Sequence, residues 1–142
     1  MASHVSQFKA VREVLTKHQR SLAKKWALKI PVVVEGRDIG TVVFPDVEFK
    51  FYVTASAEVR AQRRYQQLKK IDSPDANYAA ILKQIKARDD RDSNRKLAPL
   101  RCPKDAVVVD TSHMGINQVV KFMADHIRLH TTLLSSKGTR RK

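Results

Sequence analysis

Two short segments of this chain concentrate residues that handle phosphate. In Glu35-Gly36-Arg37-Asp38-Ile39-Gly40-Thr41-Val42-Val43-Phe44-Pro45-Asp46, a glycine-flanked turn sets an arginine beside an aspartate. A guanidinium offers planar paired donors that match phosphate oxygens, while a carboxylate accepts from an amino or hydroxyl group, so the pair can bind a phosphate and a donor group together. An Arg–Asp ion pair at a surface turn would read the same way. The second segment, Arg88-Asp89-Asp90-Arg91-Asp92-Ser93-Asn94-Arg95, puts Arg88, Arg91, Asp92 and Arg95 on one helical face by i+3 and i+4 spacing. Three guanidinium groups on one face repel unless an anion joins them, and a nucleotide phosphate would be such an anion. The alternative is a solvated helix laced by internal Arg–Asp pairs. Arg60, Arg63 and Arg64 repeat the theme, so residues 60 to 101 carry twelve Lys and Arg against five Asp, as a basic flap over a polyphosphate would.

The bulk of the chain limits what these residues can belong to. Its 142 residues, 42% hydrophobic, suffice for one domain and not for two. The lone Cys102 excludes an intrachain disulfide and has no zinc-site spacing around it, which fits a reducing, cytoplasmic setting. The N-terminus lacks the apolar stretch of a signal peptide, and nothing approaches the length of a membrane span. Twenty-eight Lys and Arg against 14 Asp and Glu leave a net charge of +14, which must attract phosphates of some kind. By itself this charge favours a nucleic-acid surface over a pair of small polyanionic substrates.

The elements that would position these residues are legible in outline. Phe8, Val11, Leu15, Leu22 and Trp26 recur at helical spacing within residues 5 to 29, with Lys and Arg between them, predicting a basic amphipathic helix. Val32, Val33 and Val34 follow Pro31 as a short β-branched run, predicting a buried strand that ends at the Glu35–Asp38 loop. A second strand is expected at Lys50–Thr54, and Ser56 with Glu58 suits the start of a helix through Leu68. After a polar turn at 72–77, Ala79, Ile81, Leu82 and Ile85 predict a helix running into the Arg/Asp segment. Ala106–Asp110 is the third expected strand. Ile116, Val119, Val120, Met123 and Ile127 mark a closing amphipathic helix, with Gly115 or Asn117 near its cap. Three short apolar strands alternating with helices predict an α/β fold with a parallel sheet. The polar end SSKGTRRK reads as disordered, so residues 1–130 form the core, with 60–100 as its flap, and 131–142 a basic tail.

Taken together, EGRDIGTVVFPD, TASAEVRAQRRYQQL, RDDRDSNRKLAPL and DAVVVDTSHMGINQVV resemble, in order, the recurring segments of bacterial cytidylate (CMP/dCMP) kinases. The likeness runs from about residue 3 to 127 and outweighs the nucleic-acid reading of the charge. It implies part of a P-loop nucleoside monophosphate kinase fold whose parallel sheet lacks its first two strands, with an arginine-rich helical lid. By resemblance, Ser3, Arg12 and Asp38 match positions that bind the cytosine ring, Arg88 and Asp92 positions at the sugar, and Arg37 and Arg95 positions at the monophosphate. Arg63, Arg64 and Arg91 resemble lid residues that neutralise charge on the transferring phosphoryl group. The implied partners are CMP or dCMP, with ATP and Mg²⁺ as cofactors. No protein metal site is expected, and histidines 4, 18, 113, 126 and 130 show no ligand spacing, although His126 and His130 share a helix face.

One part of the family pattern is not found. ATP phosphates need a G-x-x-x-x-G-K-[ST] loop whose backbone N–H groups cradle them. The four glycines here, at 36, 40, 115 and 138, begin no such loop. In the family's strand order the missing first strand lies between Val32–Val34 and Lys50–Thr54, so its loss would open the sheet at two edges unless a complementing N-terminal segment fills the gap. The chain alone is therefore expected to be weakly active or inactive. Two other readings stay open from the residues: a non-catalytic remnant with partial CMP binding, and a basic RNA-binding module, the latter weakened by the lack of interleaved aromatic residues for base stacking.

Overall fold

The computed structural model describes residues 8–138, in the order α1 (Lys9–Ala27), a π-helical turn (Ile39–Val43), β1 (Phe51–Thr54), α2 (Ala57–Lys69), α3 (Tyr78–Asn94), β2 (Val107–Asp110) and α4 (Ile116–Gly138). The helix starts follow from short local bonds. Ser56 caps α2 by accepting from the Val59 N–H at 3.2 Å, and Asn77 caps α3 by accepting from the Ala80 N–H at 2.9 Å. At the head of α4 the Gln118 side chain reaches back to the Gly115 N–H at 2.8 Å, one half of a capping box.

Strands β1 and β2 pair in parallel, Phe51 opposite Val107 through Thr54 opposite Asp110, with α2 and α3 forming the crossover between them. The α/β class and the parallel pairing are as expected, but the sheet has two strands. Val32–Val34 form no strand, and Val33 is 94% exposed. A β-branched run becomes a strand only when a neighbour satisfies its backbone, and no such neighbour is present among the described residues. The expected first helix forms, yet it buries no residue: Phe8, Leu22 and Trp26 remain largely exposed around it. Helix α4 runs on to Gly138, eight residues into the stretch read as a tail, while residues 139–142 lie outside the described residues.

Helices α2 and α3 form a hairpin with its own small core. Ala61, Leu68 and Ile81 are buried there, with Tyr65, Ala76, Tyr78, Leu82 and Ile85 packed around them. Tyr65 and Tyr78 meet edge to face, 6.5 Å between ring centres. The rest is held by polar ties. Arg20 of α1 donates to the carbonyls of Val43 at 2.7 Å and Val42 at 2.9 Å, anchoring the π-helical turn. Gly40, within that turn, approaches Pro103 so closely that a Cβ would sit 3.1 Å from the proline ring. The buried Lys50 ammonium joins the Pro45 carbonyl and the Asp105 carboxylate, tying the entry of β1 to the loop before β2. Helix α4 lies along β1, His126 edge-on to Phe51 at 5.5 Å and His130 edge-on to Phe49 at 6.4 Å.

Because the hairpin core is so small, Ile81→Ala should lower stability by about 2–4 kcal/mol, read as a drop in the urea midpoint. Acid should act through the carboxylates. The Lys50 hydrogen bond holds Asp105 below the usual carboxylate range, and Lys121 does the same for Asp125, as Lys86 does for Glu58. A lowered folded pKa contributes stability above the unfolded value of about 4, and that contribution is lost as pH falls through the folded pKa. Denaturation midpoints should therefore fall below about pH 4, and Asp105→Asn should flatten that dependence.

Candidate functional site

The turn after Val34 and the last turns of α3 come together. Gly36 leaves room for this, since a Cβ there would lie 2.7 Å from Ile39 Cγ1. Beyond it, Arg37 and Asp38 point to different partners. Asp38 pairs with Arg12 of α1, both side chains about 15% exposed or less, which joins the first helix to the turn. Arg37 reaches α3, its Nε 2.9 Å from Asp92 Oδ2 and its Nη1 3.7 Å from Asp89 Oδ1.

Asp92 is the centre of the cluster. Its carboxylate is buried, with Arg37, Arg88 at 3.6 Å and Arg95 at 3.9 Å around it. A carboxylate in a poorly solvated site is costly unless paired, and three guanidinium groups at close quarters are costly unless an anion stands between them. At 4 Å a unit charge pair is worth about 4 kcal/mol at an effective dielectric of 20, so one aspartate can hold three arginines that would otherwise separate. The pairing is incomplete in hydrogen-bond terms. Asp92 Oδ2 and Arg95 Nη2 are the buried side-chain polar atoms among the described residues that lack an aligned partner, even though Arg37 Nε lies close to the first. Arg95 Nε is satisfied by the Ala98 carbonyl at 2.6 Å, within a loop that folds back so that the Leu100 N–H donates to the Asp92 carbonyl at 2.7 Å.

Asp89, one turn earlier on α3, takes a fork from α2: Arg60 Nη1 at 3.0 Å and Nη2 at 2.6 Å. This bond raises the Arg60 pKa against the opposing effect of burial. The sequence pattern counts Arg60 with Arg63 and Arg64 as a basic flap, gives Asp89 no part of its own, and does not join the two. The i+3 spacing of Asp89 and Asp92 was visible, but which arginine each would meet depends on the hairpin's closure.

The remaining expected residues divide. Arg63 of α2 donates to the Thr111 hydroxyl at 3.0 Å and to the carbonyls of Thr111 and Met114, clamping α2 onto the turn after β2. Arg64 is exposed on α2, and Arg91 is exposed in the last turn of α3. Neither belongs to the Asp92 cluster. Ser3 lies outside the described residues. Among the described residues no group of three His, Cys, Asp or Glu could hold a metal ion, and no helix is long and apolar enough to cross a membrane.

Comparison with known proteins bears on this arrangement directly. The sequence model of the family described as "Cytidylate kinase" matches residues 1–129. The chain is 46% identical over 129 residues to a cytidylate kinase of Caldanaerobacter subterraneus subsp. tengcongensis, covering 91% of this chain and 55% of that protein. It is 43% identical over 130 residues to a cytidylate kinase of Methylococcus capsulatus, covering 92% and 56%. With a cytidylate kinase of Clostridium botulinum the identity is 48% over 121 residues, covering 83% and 54%. The chain spans about half the length of these curated relatives. The matched stretch contains the whole ion-pair network from Arg12 to Arg95, and the chain belongs to the cytidylate kinase family, a family of transferases.

Proposed function

We propose that this chain supplies the nucleoside-monophosphate side of a kinase that transfers a phosphoryl group from ATP to CMP or dCMP, giving CDP or dCDP in pyrimidine nucleotide metabolism. The observation that carries this reading is the charge balance of the site. Four guanidinium groups, on Arg37, Arg60, Arg88 and Arg95, share two carboxylates, on Asp89 and Asp92. The excess of two positive charges suits a phosphate monoester, which carries roughly −1.5 to −2 near neutral pH. The two buried atoms without an aligned partner support the same ligand: Asp92 Oδ2 can accept from a sugar hydroxyl, and Arg95 Nη2 can donate to a phosphate oxygen.

Each residue then has a part in holding the substrate. Arg37 and Arg95 bind the monophosphate, Arg88 and Asp92 the sugar. Asp38, oriented by Arg12, accepts from the cytosine amino group, which uracil lacks; Arg12 and Ser3 donate to ring acceptors. Arg63, Arg64 and Arg91 serve as lid residues that neutralise charge at the transferred group, Arg63 exchanging its carbonyl contacts near Thr111 for phosphate oxygens. Catalysis on this side is positioning and charge stabilisation, with no covalent nucleophile.

ATP with Mg²⁺ would supply the phosphoryl group, but the residues described do not form its seat. The sequence contains no G-x-x-x-x-G-K-[ST], and no metal-binding cluster forms among the described residues. A complementing segment would have to bring that loop. The unpaired Val32–Val34 run and the exposed apolar side of α1 support such a segment, because both offer surface that a neighbouring strand and helix would cover.

The purified 142-residue chain, given CMP, ATP and Mg²⁺ in a coupled assay, should turn over far more slowly than the enzyme median of about 10 per second. A rate near that value would overturn the division of labour. In direct binding, CMP should be preferred to UMP, and Asp38→Ala should reduce that preference about tenfold or more. Equal affinity of the unaltered chain for both nucleotides would count against the cytosine assignment.

A further inference from the structure

Asp89 occupies a position between two arginines that no substrate role explains. It lies on α3, about a quarter exposed, and receives both Nη groups of Arg60 from α2. Its Oδ1 also stands 3.7 Å from Arg37 Nη1, while Arg37 Nε is held 2.9 Å from Asp92. Arg37 thus lies between two carboxylates, drawn by ion pairing toward Asp92 at Nε and toward Asp89 at Nη1.

A guanidinium drawn toward two carboxylates has a narrower range of orientations than one drawn toward a single carboxylate. The Asp92 contact alone would leave Arg37 free to turn toward solvent, because that side chain is 31% exposed. Asp89 narrows this freedom by drawing Nη1 toward α3, and it does so best while its own carboxylate is held still. Arg60 performs that holding with two short charge-assisted bonds. The chain of contacts runs from the first helix of the hairpin, through Asp89, to the arginine at the turn.

We propose that Asp89 is a positioning residue that aims Arg37 at the ligand phosphate, with Arg60 as its clamp, so that closure of the α2–α3 hairpin and readiness of the phosphate site are coupled. This rests on the reading that Arg37 meets the monophosphate of CMP. Asp89 itself touches no ligand; it acts through Arg37.

The test is a double-mutant cycle read by calorimetric titration with CMP, each variant checked for helix content and thermal midpoint. Asp89→Asn should weaken CMP binding about tenfold, Arg60→Lys should weaken it less, and in an Arg37→Ala background Asp89→Asn should have no further effect. A residue that matters only for folding would instead add its loss undiminished in the Arg37→Ala background, and that result would overturn the proposal. So would unchanged affinity in Asp89→Asn. Should Asp89→Asn not fold, the cycle is run with Arg60→Lys and Arg60→Gln, whose effects must likewise vanish without Arg37. An unaltered chain that does not bind CMP would overturn the functional reading together with this one, whereas CMP binding indifferent to Asp89 and Arg60 would overturn the positioning role alone.

Discussion

The buried carboxylate of Asp92 governs this molecule's site. Four elements of chain meet there: the turn carrying Arg37, the end of α3 with Arg88, the residue after it, Arg95, and the loop that returns through Leu100. At Asp92 they answer the need of a charge in a poorly solvated place for opposite charge around it. The arrangement is unlike a hydrophobic core in one respect. It is left with more positive charge than its own carboxylates balance, and with two buried polar atoms that lack aligned partners, an acceptor on Asp92 and a donor on Arg95.

That dependence on charge follows from how little apolar packing the chain achieves. Among the described residues buried hydrophobic side chains are few, and the one cluster they form belongs to the α2–α3 hairpin. Trp26 on α1, Val53 on β1 and Val120 on α4 stay about half exposed, so surfaces shaped for burial lie open. Two parallel strands with both edges open make a marginal sheet, since parallel sheets ordinarily have both faces covered. The polar ties of Arg20, Lys50 and Arg63 to backbone carbonyls replace part of what packing does not supply. The same open surfaces agree with a chain spanning about half the length of its relatives.

Helix starts were readable because they are local. Ser56 and Asn77 cap helices from the positions where a short polar side chain can reach an N–H three residues on, and the Gly115–Gln118 bond closes the start of α4 in the same way. Val32–Val34 show the opposite case. Their β-branched character was plain, but a strand is a relation between two segments, and the second is not among the residues described. The site divides along the same line. Arg37, Asp38, Arg88, Asp92 and Arg95 were visible as a pattern of arginines beside carboxylates, whereas Arg60 was read only as one of the flap arginines, and its pairing with Asp89 is made by the closing of the hairpin.

From the sequence alone came the residue types, the helix starts, the excess of positive charge and the order of segments that marks the family, because each of these is a property of one stretch of chain. Tertiary structure decided which guanidinium faces which carboxylate: that Asp92 gathers three arginines, that Arg63 is turned to backbone carbonyls, and that Asp89 stands between Arg60 and Arg37. Ion pairing falls off over a few ångströms and depends on burial. It is therefore set by distances across the fold, which spacing along a helix leaves open.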